Sequence, residues 1–401
     1  MALLAAVLGW LFDGFEIGLF PVVARPALLS MLGPGHEGEV GRWMGIITAF
    51  FLVGAAAGGV AFGWLGDRIG RVRAMSLSIL CYSLCSGAAY FAQEPWHLAG
   101  FRFAAALGMG GEWALGVALV MEVWPERSRP WLAGMIGAAA NLGMVLVGVM
   151  AWLVPVTVDS WRWMFLVGAS PALLVFLIRL YVPESGRWQQ ARTVGGTTVF
   201  PLREVLGKSL RGRTLIGIAL SSVALIGTWG SVQWIPLWAD QMTGGTVPGA
   251  KATAQMVSAL GATAGSLLAP ILLGRINRRT SFTLLCLLSL LVCGLLFRTQ
   301  SAYTTRFLVM VFGTGACTAA FYGWFPLYLP ELFPTRVRAT GQGVCYNAGR
   351  IMAAAGALAG GSLVQFYGGY AQMGAVITLV YLVGMGVIWL APETNGRPLP
   401  E

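Results

Sequence analysis

"EVWPERSRPWLAG" at residues 122–134 and "ELFPTRVRATGQG" at residues 331–343 are two versions of one phrase. Glu122, Pro125, Arg127, Arg129 and Gly134 return as Glu331, Pro334, Arg336, Arg338 and Gly343. "PESGR" from Pro183 and "PETNGR" from Pro392 repeat at the same offset, the second with one inserted residue. Two matches at one offset read as a duplication, in which the second half of the chain repeats the first.

The composition says where such a chain can live. Of 401 residues, 57% are hydrophobic and 10% are charged. A soluble globular chain carries about 25% charged residues, so this one cannot cover a water-facing surface and its outside must face lipid. The net charge of +10 does not point to nucleic acid. The basic residues fall in short clusters between apolar runs, which is the pattern of membrane topology. The six cysteines lie inside apolar runs with no CxxC pair, so neither a disulfide framework nor a metal site is expected. The first apolar run begins at Met1 without a basic start, which fits a natural N-terminus lying further upstream.

A membrane-spanning helix needs about 20 mostly apolar residues. Twelve runs qualify, near 2–24, 43–65, 74–93, 97–122, 130–154, 161–182, 214–238, 252–274, 281–299, 303–329, 339–364 and 370–391. They are too long and too uniformly apolar for barrel strands, so each is expected to be a helix with its backbone satisfied internally. The fold class is therefore all-α integral membrane, with twelve helices in two six-helix bundles. The domains are 1–182 and 214–401, joined by a polar linker at 183–213. Arginines concentrate in one set of loops, which the positive-inside rule places in the cytoplasm together with both termini. A parallel six-plus-six repeat puts a ligand site near the midplane, where the halves meet.

"GWLGDRIGRVR" at 63–73 lies between the second and third runs. It resembles the loop 2–3 signature of the major facilitator superfamily, G-x-L-x-D-R-x-G-R, here carried by Gly63, Asp67, Arg68, Gly70 and Arg71. "PESGRW" and "PETNG" resemble the sugar-porter and metabolite-porter branches, "GMGGEW" the metabolite:proton symporters, and "DGFE" the D-G-x-D of aromatic-acid and sialic-acid proton symporters. The resemblance covers the whole chain and implies a secondary transporter working by alternating access. Two departures stand out: Glu16 replaces the second Asp of D-G-x-D, and "GRINRR" has Gly274 where the first half has Asp67.

Charges within the apolar runs are costly, about 2.5–3.5 kcal/mol each on insertion scales, so they mark function or a partner. Asp13 and Glu16 are three apart and share a helix face. Two carboxylates in a poorly solvated site repel, which favours holding a proton on one of them. Arg102, early in the fourth run, falls at the depth of Glu16 because the two helices run in opposite directions. The resemblance gives Glu16 the role of proton acceptor and Arg102 that of its partner; the alternative is a permanent structural ion pair. Glu112, at mid-depth, is a second proton site, a polar cavity wall, or a residue bonded to neighbouring helices.

Arg350 is the main cation near the midplane, one turn from Asn347, and its counterpart in the repeat is Asn141. A planar guanidinium suits a substrate carboxylate; the alternative is an Arg that only balances Asp13 or Glu112. Trp229 and Gln233 of "TWGSVQWIPLW" and Tyr322 of "FYGWFPLY" are cavity candidates, whereas Trp238 and Tyr328, near run ends, read as interface-belt residues. By resemblance, Asp67, Arg71, the seven-apart pairs Glu122/Arg129 and Glu331/Arg338, and the motifs of Glu184, Arg187 and Glu393 form a ring of salt bridges gating the cytoplasmic side.

These readings converge on a proton-coupled carrier of a small organic anion in a bacterial inner membrane, acting as a monomer. Its partners would be the substrate, the proton and the lipid bilayer, with no nucleic acid, no cofactor and no metal. A neutral sugar symporter and an exporter are the alternatives, and a non-transporting sensor is more remote. No nucleotide loop or metal constellation points to an enzyme.

Overall fold

The computed structural model describes residues 2–36, 39–154, 156–173, 178, 181–194, 201–244, 246–247 and 249–401. The apolar runs of the first half become α1 (Ala2–Leu32), α2 (Val40–Ile69), α3 (Arg71–Ala88), α4 (Pro95–Val123) and α5 (Arg129–Leu153), followed by a short α6 (Arg162–Gly168). The sixth expected run continues partly into residues outside the described set. The polar connection holds α7 (Gly186–Val194) and α8 (Pro201–Val205). The second half contains α9 (Arg211–Gly230), α10 (Ile235–Thr243), α11 (Ala250–Leu273), α12 (Arg278–Thr299), α13 (Thr305–Leu332), α14 (Arg338–Tyr367), α15 (Tyr370–Ile377) and α16 (Val380–Val387). Among the described residues, ten helical spans are long and apolar enough to cross a membrane. Leu84, Leu295 and Phe366 stand exposed on the outside, as a lipid-facing surface requires.

Within the first half α2 packs on α4, α1 on α5, and α3 on α4; within the second, α11 packs on α13, α9 on α14, and α12 on α13. The halves meet along two seams, α2 against α14 and α5 against α11. The repeat equates α2 with α11 and α5 with α14, so each seam is the image of the other. The first seam is close because of a glycine: a Cβ on Gly59 would occupy the place of the Asn347 amide. Small residues that let backbones approach are how membrane helices gain packing energy without a hydrophobic driving force.

Three elements differ from the sequence expectation. The loop between the second and third runs contracts to Gly70 alone, whose φ of 109° turns the chain directly from α2 into α3. The seventh run, expected to be continuous over 214–238, breaks after Gly230. Ser231 leaves the helical region (φ −128°, ψ −58°), Val232–Trp234 form one 3-10 turn, and α10 restarts with Pro236 in its first turn. Proline lacks the N–H for the helix ladder and its ring crowds the preceding turn, so the helix must end before it. The last run is likewise divided, into α15 and α16.

Candidate functional site

The break in the seventh run opens onto a cavity of ≈ 120 Å³ between the halves. Asp13 of α1 and Asn141 of α5 line it from the first half; Trp229, Gln233, Tyr322 and Arg350 line it from the second. Asn141 and Arg350, counterparts in the repeat, thus face one space. Asn141 donates to the Gly137 carbonyl at 3.2 Å and to Ser266 Oγ, across the seam, at 3.4 Å. Asn347 stands behind Arg350: its Oδ1 accepts from Arg350 Nη1 at 2.8 Å, and its own amide donates to the Gly343 carbonyl. The guanidinium lies 5.2 Å from the centre of the Tyr346 ring. Tyr346 stacks on Trp113 of the first half, centroids 4.1 Å apart, and Trp10 meets Trp113 edge-on. This aromatic layer closes the cavity on the side of the α2–α3 turn.

The buried carboxyls form two groups. Glu16 pairs with Arg102 and accepts from Ser86 Oγ at 2.8 Å, while Arg102 Nη2 also donates to the Glu16 carbonyl. Phe51 and Phe20 cover the guanidinium. Glu112, 2% exposed, projects from α4 into the space left by Gly9 of α1, beside Asp13. Asp13 Oδ1 and both Glu112 oxygens lack a hydrogen-bond donor. Facing carboxyls are satisfied when one proton sits between them, the protonated member donating to the other. Glu16 and Arg102 do not line the cavity; Asp13 does, and Glu112 stands behind it.

A second charged cluster closes the face that carries the α2–α3 turn. Arg71, fully buried, donates to the Gly66 carbonyl (2.8 Å), Asp67 (2.7 Å), Glu122 (3.1 Å) and the Thr335 carbonyl of the other half (2.7 Å). Asp67 accepts across the seam from Thr340 N (2.8 Å), Thr340 Oγ1 (2.5 Å) and Ala339 N (3.3 Å). Glu122 accepts from Arg338 Nη1 at 2.9 Å and from Ser185 Oγ at 2.5 Å. Arg338 Nη2 donates to the Pro400 carbonyl of the C-terminal segment. Arg68, exposed, lies over the Trp64 ring, and Arg187 is half-buried near Arg338. Gly63 lies against the Ala339 carbonyl in the same seam.

The pairing differs from the sequence expectation. Arg338 turns to Glu122 of the other half, while Glu331 takes Arg278 in a two-bond contact (3.0 and 2.8 Å) and Thr394 Oγ1 (2.6 Å). Arg129 is one of the cations acting on Glu331. Equal spacing along each half could not reveal this, because the docking of the halves decides which ends meet. Glu184 and Glu393, expected in the salt-bridge ring, instead cap helices. Glu184 accepts from Arg71 N (2.8 Å) and Val72 N (3.1 Å) at the start of α3; Glu393 accepts from Arg278 N (2.9 Å) and Arg279 N (3.2 Å) at the start of α12. An acid at a helix N-terminus satisfies orphan N–H groups and meets the positive end of the dipole. That explains why the PES and PET motifs recur. A side chain on Gly70 would strike the Glu184 carboxylate, so glycine there serves both the turn and the cap.

The comparisons with known proteins agree with this architecture. The family model described as Major Facilitator Superfamily matches residues 6–357. The chain belongs to that superfamily. A probable 4-methylmuconolactone transporter of Cupriavidus pinatubonensis is 32% identical over 395 residues, 97% of this chain and 89% of the relative. A cis,cis-muconate transport protein of Acinetobacter baylyi is 29% identical over 344 residues, 82% and 81% of the two chains. Among solved structures, a proton:xylose symporter bound to 6-bromo-6-deoxy-D-glucose aligns with a TM-score of 0.83 at 19% identity, over 99% of this chain and 97% of that one. The chain is a multi-pass membrane protein and a secondary transporter, not an enzyme.

Within this superfamily fold, several residues escaped the sequence reading. Trp238 and Tyr328 are not belt residues. Trp238 packs between Phe297 and Phe307, and Tyr328, fully buried, stacks on Trp324 and donates to the Pro392 carbonyl at 3.0 Å. Arg278 occupies the place of Arg71 in the second half. The alignment of Gly274 with Asp67 already implied it, since each arginine lies four residues further on. Ser86, Tyr346 and Thr340 carried no signal beyond their helical phase.

Proposed function

We propose that this transporter imports a small organic anion together with a proton, by alternating access. The observation that supports this most is that Arg350 and Asp13 line one cavity, with Glu112 buried against Asp13 behind it. The Arg350 fork would take a substrate carboxylate by paired charge-assisted hydrogen bonds. The Asp13–Glu112 site would carry the proton, and Glu16–Arg102 would respond to it. Tyr322, Trp229, Gln233, Asn141 and Asn347 would shape and orient the ligand. The relatives named for muconate and 4-methylmuconolactone favour a compact carboxylate or lactone of that kind.

In this reading the bundles 1–182 and 214–401 move as units about the 183–213 connection. The cluster of Asp67, Arg71, Glu122, Arg129, Glu331 and Arg338 is the cytoplasmic gate, with Glu184 and Glu393 bracing the helices beneath it. The arginine-rich loops favour, by the positive-inside rule, that face and both termini lying in the cytoplasm; the membrane would be a bacterial inner membrane and the monomer the working unit.

The test is uptake of labelled cis,cis-muconate, nicotinate and xylose into proteoliposomes under an imposed inward proton gradient. Gradient-dependent accumulation of a carboxylate, abolished by a protonophore, is the expected result. Accumulation of xylose alone would establish the sugar reading in its place, and accumulation only in inverted vesicles would make the protein an exporter.

A further inference from the structure

Glu16 is set apart from the Asp13–Glu112 pair, and a buried tyrosine of α3 lies on the helix face that runs between them. Glu16 meets Ser86 of α3 and Arg102 near the far end of α4, whereas Glu112 sits opposite Gly9, close to Asp13. Ser78, Tyr82 and Ser86 follow one another at four-residue spacing on one face of α3. Ser78 donates to the Gly108 carbonyl of α4 at 2.5 Å, and a side chain on Gly108 would run into the Tyr82 backbone. Tyr82 is thereby packed on α4 one turn from Glu112, while one turn along α3 in the other direction Ser86 bonds Glu16. Its ring is fully buried, and its hydroxyl has no hydrogen-bond partner. A buried, unpartnered hydroxyl costs about 1–3 kcal/mol. Asp13 and Glu16 of α1 and Glu112 of α4 all act on it electrostatically. Arg102 of α4 and Ser86 of α3 hold Glu16, and Cys81 and Cys85 share α3 with Tyr82.

We propose that Tyr82 is a proton relay between the Asp13–Glu112 pair and Glu16, a positioning residue resting on the proton-coupled reading above. The phenol is both donor and acceptor. The hydroxyl lies beyond direct hydrogen-bond reach of the carboxyls, so the exchange runs through water: a proton from Glu112 reaches the phenol oxygen, the original O–H bond of Tyr82 breaks, and that proton passes through water to the Glu16 carboxylate. The phenol stays neutral, one carboxyl is deprotonated and the other protonated. The same exchange runs in reverse as the transporter resets. Without it, the two acidic groups would load and unload independently.

The test needs no substrate. Purified protein in lipid nanodiscs is moved by stopped-flow from alkaline to acid buffer, and proton uptake is followed with a pH-indicator dye. In Tyr82→Phe the total protons bound should stay the same while the slower part of uptake falls on the order of a hundredfold in rate. A fluorinated tyrosine at position 82, which keeps the shape but is more acidic, should also change that rate. An unchanged rate in both variants overturns the relay, as does a loss of bound protons with the rate intact, since that is a purely structural effect. If the wild type takes up no protons in this jump, the proton-coupled reading itself fails, and with it the relay.

Discussion

Asn347 Oδ1 accepts a 2.8 Å hydrogen bond from Arg350 Nη1, one helical turn away on α14. The bond fixes one arm of the guanidinium beside the cavity before any ligand arrives. Arg350→Lys keeps the charge and loses the planar fork. A charge-assisted hydrogen bond is worth about 1.5–3 kcal/mol, so half-saturation for the transported carboxylate should rise about tenfold or more. The measurement is concentration-dependent uptake in proteoliposomes. An unchanged half-saturation would leave Arg350 as a charge balance for Asp13 only.

Glu16→Gln tests whether the Glu16–Arg102 pair is a moving part. Removing one member of a buried pair costs about 3–5 kcal/mol when the other is left uncompensated. The glutamine amide keeps the size, so thermal stability should fall by less than that. Proton-driven accumulation should disappear while substrate exchange across the membrane persists. Accumulation with its ordinary pH dependence would make the pair structural.

Asp67 carries three hydrogen bonds across the α2–α14 seam, from Ala339 and Thr340. Asp67→Asn weakens them and removes the charge facing Arg71. Loss of even about 1.4 kcal/mol changes the ratio of closed to open states tenfold. Spin-label distances between the ends of α2 and α14 should therefore lengthen in the variant. Distances identical to the wild type would show that the seam is held by packing alone.

Sequence and structure agree on the large features because the bilayer leaves few choices. Long apolar runs must be helices, and a duplicated motif must produce paired bundles. Arg71 and Asp67 were legible because a one-residue turn permits little variation around Gly70. The break at Ser231 was hidden although Pro236 was in plain view, because the apolar run continues without interruption on both sides of it. The Glu122–Arg338 pair was hidden for a different reason: its members lie 216 residues apart, and only the docking of the halves brings them to 2.9 Å.

Glu393 offers a test by pH. Partial burial pushes its carboxyl up, but the backbone N–H groups of Arg278, Asn395, Arg279 and Thr394 more than offset this and hold it below its ordinary value. A depressed carboxylate adds stability above its unfolded-state pKa, and that stability is lost as pH falls through the folded value. Glu393→Gln should lower the melting temperature near neutral pH. The difference from wild type should shrink below about pH 4, where an ordinary glutamate is protonated. A difference of constant size across that range would mean that the charge at the cap is irrelevant.

The bonds around Arg71 also decide how readily the charged face can come apart. When the halves separate, Arg71 gives up the Thr335 carbonyl but keeps Asp67 and Glu122. Glu122 gives up Arg338 but keeps Arg71 and Ser185, and Arg338 keeps the Pro400 carbonyl. Arg71, Asp67, Glu122 and Arg338 each retain a hydrogen-bond partner from their own half, so none of these four is stranded at the moment of parting. In the proposed cycle the closure would act as a reusable clasp, able to release and re-form on every turnover without leaving these four ions bare.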